Sequence, residues 1–122
     1  MQINMGSVIP ILRSFDEAKA KTFYLDYLGF QIDWEHRFEP TLPLYMQISR
    51  DGLTLHLSEH HGDCTPGAAV RVACEQLDVL LTELKSKTYA NACPAIQPVP
   101  WDMQEMRITD PFGNRLIFYK DC

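Results

Sequence analysis

The feature that most constrains this chain is that one order of segments runs twice. A β-prone stretch, an amphipathic helical stretch and three more β-prone stretches fill residues 1–60. After a polar linker at 61–67 the same order restarts and fills 68–122. A repeat of pattern means two modules, each too small to close its own core. Neither half is expected to fold alone, and the two together make one domain over residues 5–120. The length of 122 residues agrees, being one small domain or two half-sized modules.

In the first module, Ser7 to Leu12 is short, apolar and β-prone, with Pro10 arguing for an edge or a bulge. Ser14 and Glu17 form a capping-box pattern. Ala20, Phe23, Tyr24, Tyr27 and Leu28 then follow at helical spacing, and Gly29 is a helix stop. This predicts a helix of about four turns with an aromatic face. Phe30, Ile32 and Trp34 alternate with Gln31, Asp33 and Glu35, which predicts a strand with those three on one core face. Pro43 to Arg50 reads as a strand, Asp51-Gly52 as a hairpin turn, and Leu53, Leu55 and Leu57 as the apolar face of the next strand.

In the second module, Ala68 to Cys74 reads as a strand. Leu77, Leu80, Leu81 and Leu84 mark a helix by their i, i+3, i+4, i+7 spacing. Ala95 to Val99, Glu105 to Thr109 and Arg115 to Lys120 read as strands, the last two joined by the turn Asp110-Pro111-Phe112-Gly113-Asn114. Gly52 and Gly113 each feed a strand of similar alternation, so the halves echo one another.

Charge limits the partners. Lys and Arg number 11 against 16 Asp and Glu, a net charge of -5. Neutralising phosphates needs clustered cations, so no nucleic-acid partner is expected. No apolar run reaches the roughly 20 residues that span a bilayer, so no membrane partner is expected either. The four cysteines, Cys64, Cys74, Cys93 and Cys122, show no metal-binding spacing. Cys74 is placed at a strand end and the others in loops or at the terminus. Residues 1–7 lack the features of a signal peptide, so a cytoplasmic chain with reduced thiols is expected.

No nucleophile motif and no glycine-rich phosphate loop is present. Metal chemistry and non-covalent binding remain. His56, His60 and His61 lie close together beside Glu59 and Asp63. On an extended strand His56, Ser58 and His60 point the same way, which gives two ligands where a metal site usually wants three. A solvated loop is the simpler reading of Glu59 to Asp63. The binding case rests on Trp34, Phe38, Tyr45 and Trp101 with Glu35, Glu39, Asp102 and Glu105 near them. Aromatic faces beside carboxylates suit a flat, cationic organic molecule. Core packing is the simpler reading for Trp34. It is weaker for Trp101, which follows Pro98 and Pro100 in a loop.

Three stretches carry a family resemblance over nearly the whole chain. They are Val8 to Leu12 leading to Phe23-Tyr24 and Tyr27-Leu28-Gly29-Phe30, then Val99-Pro100-Trp101, then Asp110 to Asn114 with a strand ending at Phe118. With the doubled order of segments, the chain resembles the vicinal oxygen chelate superfamily of glyoxalases, extradiol dioxygenases and bleomycin-resistance proteins, and most of all the last of these. The resemblance implies an α+β fold of two βαβββ modules, with open mixed sheets forming a groove in a homodimer. One physical point supports a dimer: each module has a single helix and an open sheet face. The superfamily's four metal-ligand positions fall on Ile9, His56, Ala69 and Ile117, of which only His56 can coordinate.

The expected function is therefore metal-independent binding of a flat cationic antibiotic of the bleomycin type, with no catalytic residue and no cofactor. Phe38 and Trp101 correspond to the family's stacking positions, although Asp102 stands where those relatives usually carry glycine. The candidate ligand-binding residues are Glu35, Phe38, Tyr45, His56, His60, Trp101, Asp102 and Arg107. Two alternatives are a metal-dependent lyase, isomerase or dioxygenase using His56, and a binding module for an unrelated small molecule.

Overall fold

The computed structural model of the chain describes residues 2–89 and 94–121. Its elements are β1 (Ile11–Arg13), α1 (Glu17–Lys21) with a π-wound continuation (Thr22–Tyr27), β2 (Gln31–His36), β3 (Tyr45–Arg50) and β4 (Leu53–Ser58). After the connection come β5 (Ala69–Ala73), α2 (Leu77–Lys85), β6 (Ile96–Val99), β7 (Met103–Thr109) and β8 (Arg115–Asp121). The first four strands form a sheet in the order β1-β4-β3-β2, and the last four a sheet in the order β5-β8-β7-β6. In each sheet the first strand pairs in parallel with the fourth, and the other pairings are antiparallel. This is the α+β fold of two βαβββ modules with mixed sheets.

Alternation gives each sheet an inner and an outer face. On the inner face of the first, Met46 lies opposite Leu57 and Ile48 opposite Leu55. On the inner face of the second, Met106 lies opposite Phe118 and Ile108 opposite Leu116. All eight are buried in one cluster with Leu12, Phe23, Tyr24, Leu77 and Leu84. The core is thus shared between modules. Each such side chain contributes about 1.5–3 kcal/mol when fully buried.

Several local expectations are corrected. The first strand begins at Ile11, not Ser7, and Pro10 precedes it. Pro10 still serves the sheet, since its carbonyl accepts from the His56 N–H at 3.0 Å. The N-cap is Asp16, whose carboxylate accepts from the Lys19 N–H at 2.9 Å. Ser14 instead continues the β1–β4 pairing, with its N–H on the Ser58 carbonyl at 2.9 Å. The helix ends at Tyr27 and widens in its second half, where the Leu28 N–H reaches back five residues to Phe23. It is thus about three turns rather than four. Gly29, at φ 75°, ends it, and a Cβ there would meet the Arg50 guanidinium at 3.1 Å.

Polar contacts clasp the modules together. The Asp110 carboxylate, 4% exposed, accepts from the Tyr24 hydroxyl at 2.6 Å. It also accepts from the backbone N–H groups of Phe112 and Asn114 and from Asn114 Nδ2, each at 2.8 Å. Asn114 Nδ2 also donates to the Arg13 carbonyl at 2.8 Å. Burial and the neighbouring carboxylate hold the Tyr24 hydroxyl well above its ordinary pKa, so it stays a donor. At the opposite end Arg50 grips Glu83 through two bonds of 2.8 Å. Cys74 directly follows β5, and its N–H donates to the Tyr119 carbonyl at 2.8 Å. Cys64 lies between β4 and β5, while Cys93 and Cys122 lie outside the described residues. Among the described residues, no helix is long and apolar enough to cross a membrane.

Two measurements test the clasp. In chemical denaturation, Tyr24→Phe is expected to lose about 1.5–3 kcal/mol, the worth of a hydrogen bond to a charged group. Asp110→Ala is expected to lose more, because it leaves several buried donors unpaired. The Arg50 guanidinium holds the Glu83 carboxyl below its usual range. Its share of the stability is present above the ordinary Glu pKa and is lost as pH falls through the depressed one. Glu83→Gln is therefore expected to flatten the acid limb of a stability–pH curve and leave the neutral limb's slope unchanged.

Candidate ligand site

The outer face of the first sheet is shaped by one extra residue. Gln31 pairs with Ser49 and Ile32 with Ile48, but the next pairing is Trp34 with Gln47, so Asp33 is inserted as a β-bulge. The insertion breaks the predicted alternation. Ile32 keeps the inner face, and Trp34 turns to the outer one, where it is 41% exposed. The expectation that Trp34 packs in the core is thereby corrected. Glu35 follows the inner face and pairs with Lys21 of α1 at 2.9 Å.

Trp34 opens a strip of six rings on this face. It stacks on Tyr45 at 5.9 Å with 9° between planes and meets His56 edge-on at 5.3 Å. Tyr45 contacts His56 at 5.1 Å and His60 at 6.5 Å. Phe38 continues the strip, 6.2 Å from His60 and 4.7 Å from His36. The strands supply Trp34, His36, Tyr45 and His56, and the adjoining loops supply Phe38 and His60. Of the predicted residues, Phe38, Tyr45, His56 and His60 are thus brought together, while Glu35 lies across the sheet from them.

Both His56 ring nitrogens are occupied. Nδ1 lies 2.6 Å from the Tyr45 hydroxyl, and Nε2 lies 2.9 Å from Gln47 Oε1. Gln47 Nε2 donates to Asp33 at 3.0 Å, and the Ser49 hydroxyl donates to Asp33 at 2.9 Å. These bonds hold the Asp33 carboxyl below its ordinary pKa, Gln47 and Ser49 being the largest causes. Burial, more than the charges of Asp63 and Cys64, raises the Tyr45 phenol. Sequence reading missed Asp33 and Gln47. The available signal was an aspartate inside a β-prone run, a residue depleted in regular strands.

Trp101, Asp102 and Arg107 belong to the second sheet. Pro100, Trp101 and Asp102 form the loop between β6 and β7, whose ends pair through Val99 and Met103. Asp102 has φ 58°, a left-handed conformation that glycine adopts freely and aspartate tolerates. That accounts for aspartate at a position where glycine is usual in the resembled family. Trp101 is 54% exposed, and no ring contact joins it to the strip among the described residues. Arg107 flanks Glu105 at 3.3 Å, and Arg71 binds the same carboxylate at 2.8 Å. The Arg71 guanidinium also lies over the Tyr119 ring at 4.5 Å.

The residues do not fit the metal that this fold can carry. Of Ile9, His56, Ala69 and Ile117, only His56 has a donor atom, and both its nitrogens are engaged. The sheet registers pair Ile11 with His56 and Arg71 with Ile117, which adds an alkyl chain and a cation rather than ligands. Among the described residues no group of three His, Cys, Asp or Glu could hold an ion. A cleft of about 460 Å³ at the module junction is lined on the inner side by Leu28, Phe30, Leu53, Val72 and Phe118. Of its charged groups, Arg50 and Glu83 are paired at 2.8 Å, and Asp51 lies 3.8 Å from the same guanidinium. The aromatic strip is therefore the better candidate site.

Comparisons with known proteins agree with this architecture. A bleomycin-binding protein from Streptomyces verticillus, solved with copper(II)-bleomycin, is 26% identical with a TM-score of 0.67, over 96% of this chain and 97% of that one. A bleomycin-binding protein complexed with bleomycin is 21% identical with a TM-score of 0.73, over 97% and 100%. TnmS3, an antibiotic binding protein from Streptomyces sp. CB03234, is 18% identical with a TM-score of 0.71, over 99% and 100%. No curated protein matches the chain by sequence. The family model of the glyoxalase superfamily matches residues 1–122 throughout, and the chain belongs to that superfamily.

Proposed function

We propose that this chain is a metal-independent binding protein that sequesters a flat, cationic antibiotic of the bleomycin type. The observation that carries the reading is the strip of six rings on an outer sheet face, with the Asp33 carboxylate beside Trp34. Ring faces attract both flat systems and cations, and a fixed carboxylate holds a positive charge. The names of the similar solved structures support the same ligand class. The protein acts in the cytoplasm, on a ligand that has already entered the cell.

The groove is completed by a second copy. Ile11, Trp34, Phe38 and Trp101 are large apolar side chains left 39–72% exposed. Ile11, Trp34 and Phe38 belong to the first sheet and its loop and Trp101 to the second, and large exposed apolar side chains on both fit surfaces that meet in a second copy. In the proposed homodimer the strip of one chain faces the second sheet of its partner, so that Trp101 closes the groove over the ligand.

Titration with metal-free bleomycin, followed by tryptophan fluorescence in the presence and absence of chelator, tests the proposal. Micromolar or tighter binding is expected, unchanged by chelator. Trp34→Ala, Phe38→Ala and Trp101→Ala are each expected to lose about 1–3 kcal/mol of affinity with little loss of stability. Sedimentation is expected to give a dimer. No binding at micromolar drug would point to a different small molecule. Stoichiometric metal in the purified protein would point to an enzyme instead.

A further inference from the structure

We propose that Asp33 and Gln47 lock His56 in a single tautomer, so that the Tyr45 hydroxyl oxygen faces the ligand as an acceptor and selects flat rings bearing an N–H or O–H donor. The inference rests on the reading of the strip as the ligand face, and it names what that face prefers.

The direction of each bond follows from what its neighbour can do. An ionised carboxylate only accepts, so Gln47 must present its amide NH₂ to Asp33, at 3.0 Å. That turns Gln47 Oε1 toward His56 Nε2, 2.9 Å away. An amide oxygen only accepts, so the proton of a neutral His56 sits on Nε2. Nδ1 is then bare and accepts from the Tyr45 hydroxyl at 2.6 Å. With its proton aimed inward, Tyr45 has only lone pairs to offer along the strip. Ser49 donates to the other Asp33 oxygen at 2.9 Å and fixes the starting point of the chain. Asp33 can do this because it follows the inward Ile32 and so faces outward with Ser49 and Gln47, and the bulge leaves it unpaired between them. The phenol's raised pKa keeps its proton in place. Asp33 and Gln47 are positioning residues in this scheme.

The lock makes an unusual demand on one variant. Asparagine at position 33 can donate, which lets Gln47 turn over, moves the His56 proton to Nδ1 and points the Tyr45 proton outward. Long-range proton–nitrogen NMR of histidine-labelled protein reads the tautomer without any ligand. At about pH 8, above the ordinary histidine range, the native chain is expected to show His56 protonated at Nε2. Asp33→Asn is expected to shift it toward Nδ1–H, and Gln47→Leu to mix the two. Indole and 1-methylindole, which differ in one N–H, probe selection. The native chain is expected to bind indole roughly three- to ten-fold more tightly, the worth of one neutral hydrogen bond. Asp33→Asn is expected to erase that ratio.

An Nδ1–H tautomer in the native chain, or a tautomer unmoved by both substitutions, overturns the lock. Equal binding of the two probes overturns the selection. If the tautomer is as expected but Trp34→Ala leaves indole binding unchanged, the strip is not the ligand face. That failure belongs to the functional reading and is told apart from failure of the lock.

Discussion

A buried carboxylate with four donors around it holds the two halves of this protein in register. Asp110 fixes its own turn through two backbone N–H groups and fixes Asn114 through a third bond. Its fourth donor is the Tyr24 hydroxyl, which arrives from the first module. A buried charge is tolerable only when its lone pairs are filled. The helix and the turn can therefore take up few other relative positions. The shared core, with Met46, Ile48, Leu55 and Leu57 from one sheet and Met106, Ile108, Leu116 and Phe118 from the other, is built around that joint.

With the inner faces committed to one core that the helices share, the outer faces are released for other uses, and they differ in character. The first carries rings and a neutral hydrogen-bond chain that ends on a carboxylate. The second carries Arg71, Glu105 and Arg107 with Tyr119 under a guanidinium. The doubled architecture thus yields two chemically distinct surfaces from one repeated plan. Under the proposed function, recognition on the first surface would rest on directionality: stacked rings suit many flat molecules, and the polar chain behind them would distinguish one edge from another.

Much of the fold was legible in the residues. Leu77, Leu80, Leu81 and Leu84 mark α2, Asp51-Gly52 marks its hairpin, and the turn from Asp110 to Asn114 lies where read. These are local signals, in which spacing or turn chemistry suffices. Expectations failed where tertiary structure decided. Ser14 had the right chemistry for a cap, but the β1–β4 pairing claimed it and Asp16 took the role. Of the candidate residues named from the sequence, Phe38, Tyr45, His56 and His60 have rings that meet on one sheet face. Trp34 was assigned to the core and Glu35 to the site because period-two counting assumes an unbroken strand. Asp33 and Gln47 escaped notice because neither belongs to a motif, and their roles arise only from the contact between strands.

The bulge has one more consequence. It lets Asp33 and Trp34 share the outer face, where strict alternation would send one of them inward. Loss of a single codon at Asp33 would restore even pairing and leave Trp34 facing outward, but would remove the carboxylate from Gln47 and Ser49. Chain length as well as side chain thus shapes this face: one extra residue adds a carboxylate to the rings without turning Trp34 away from them.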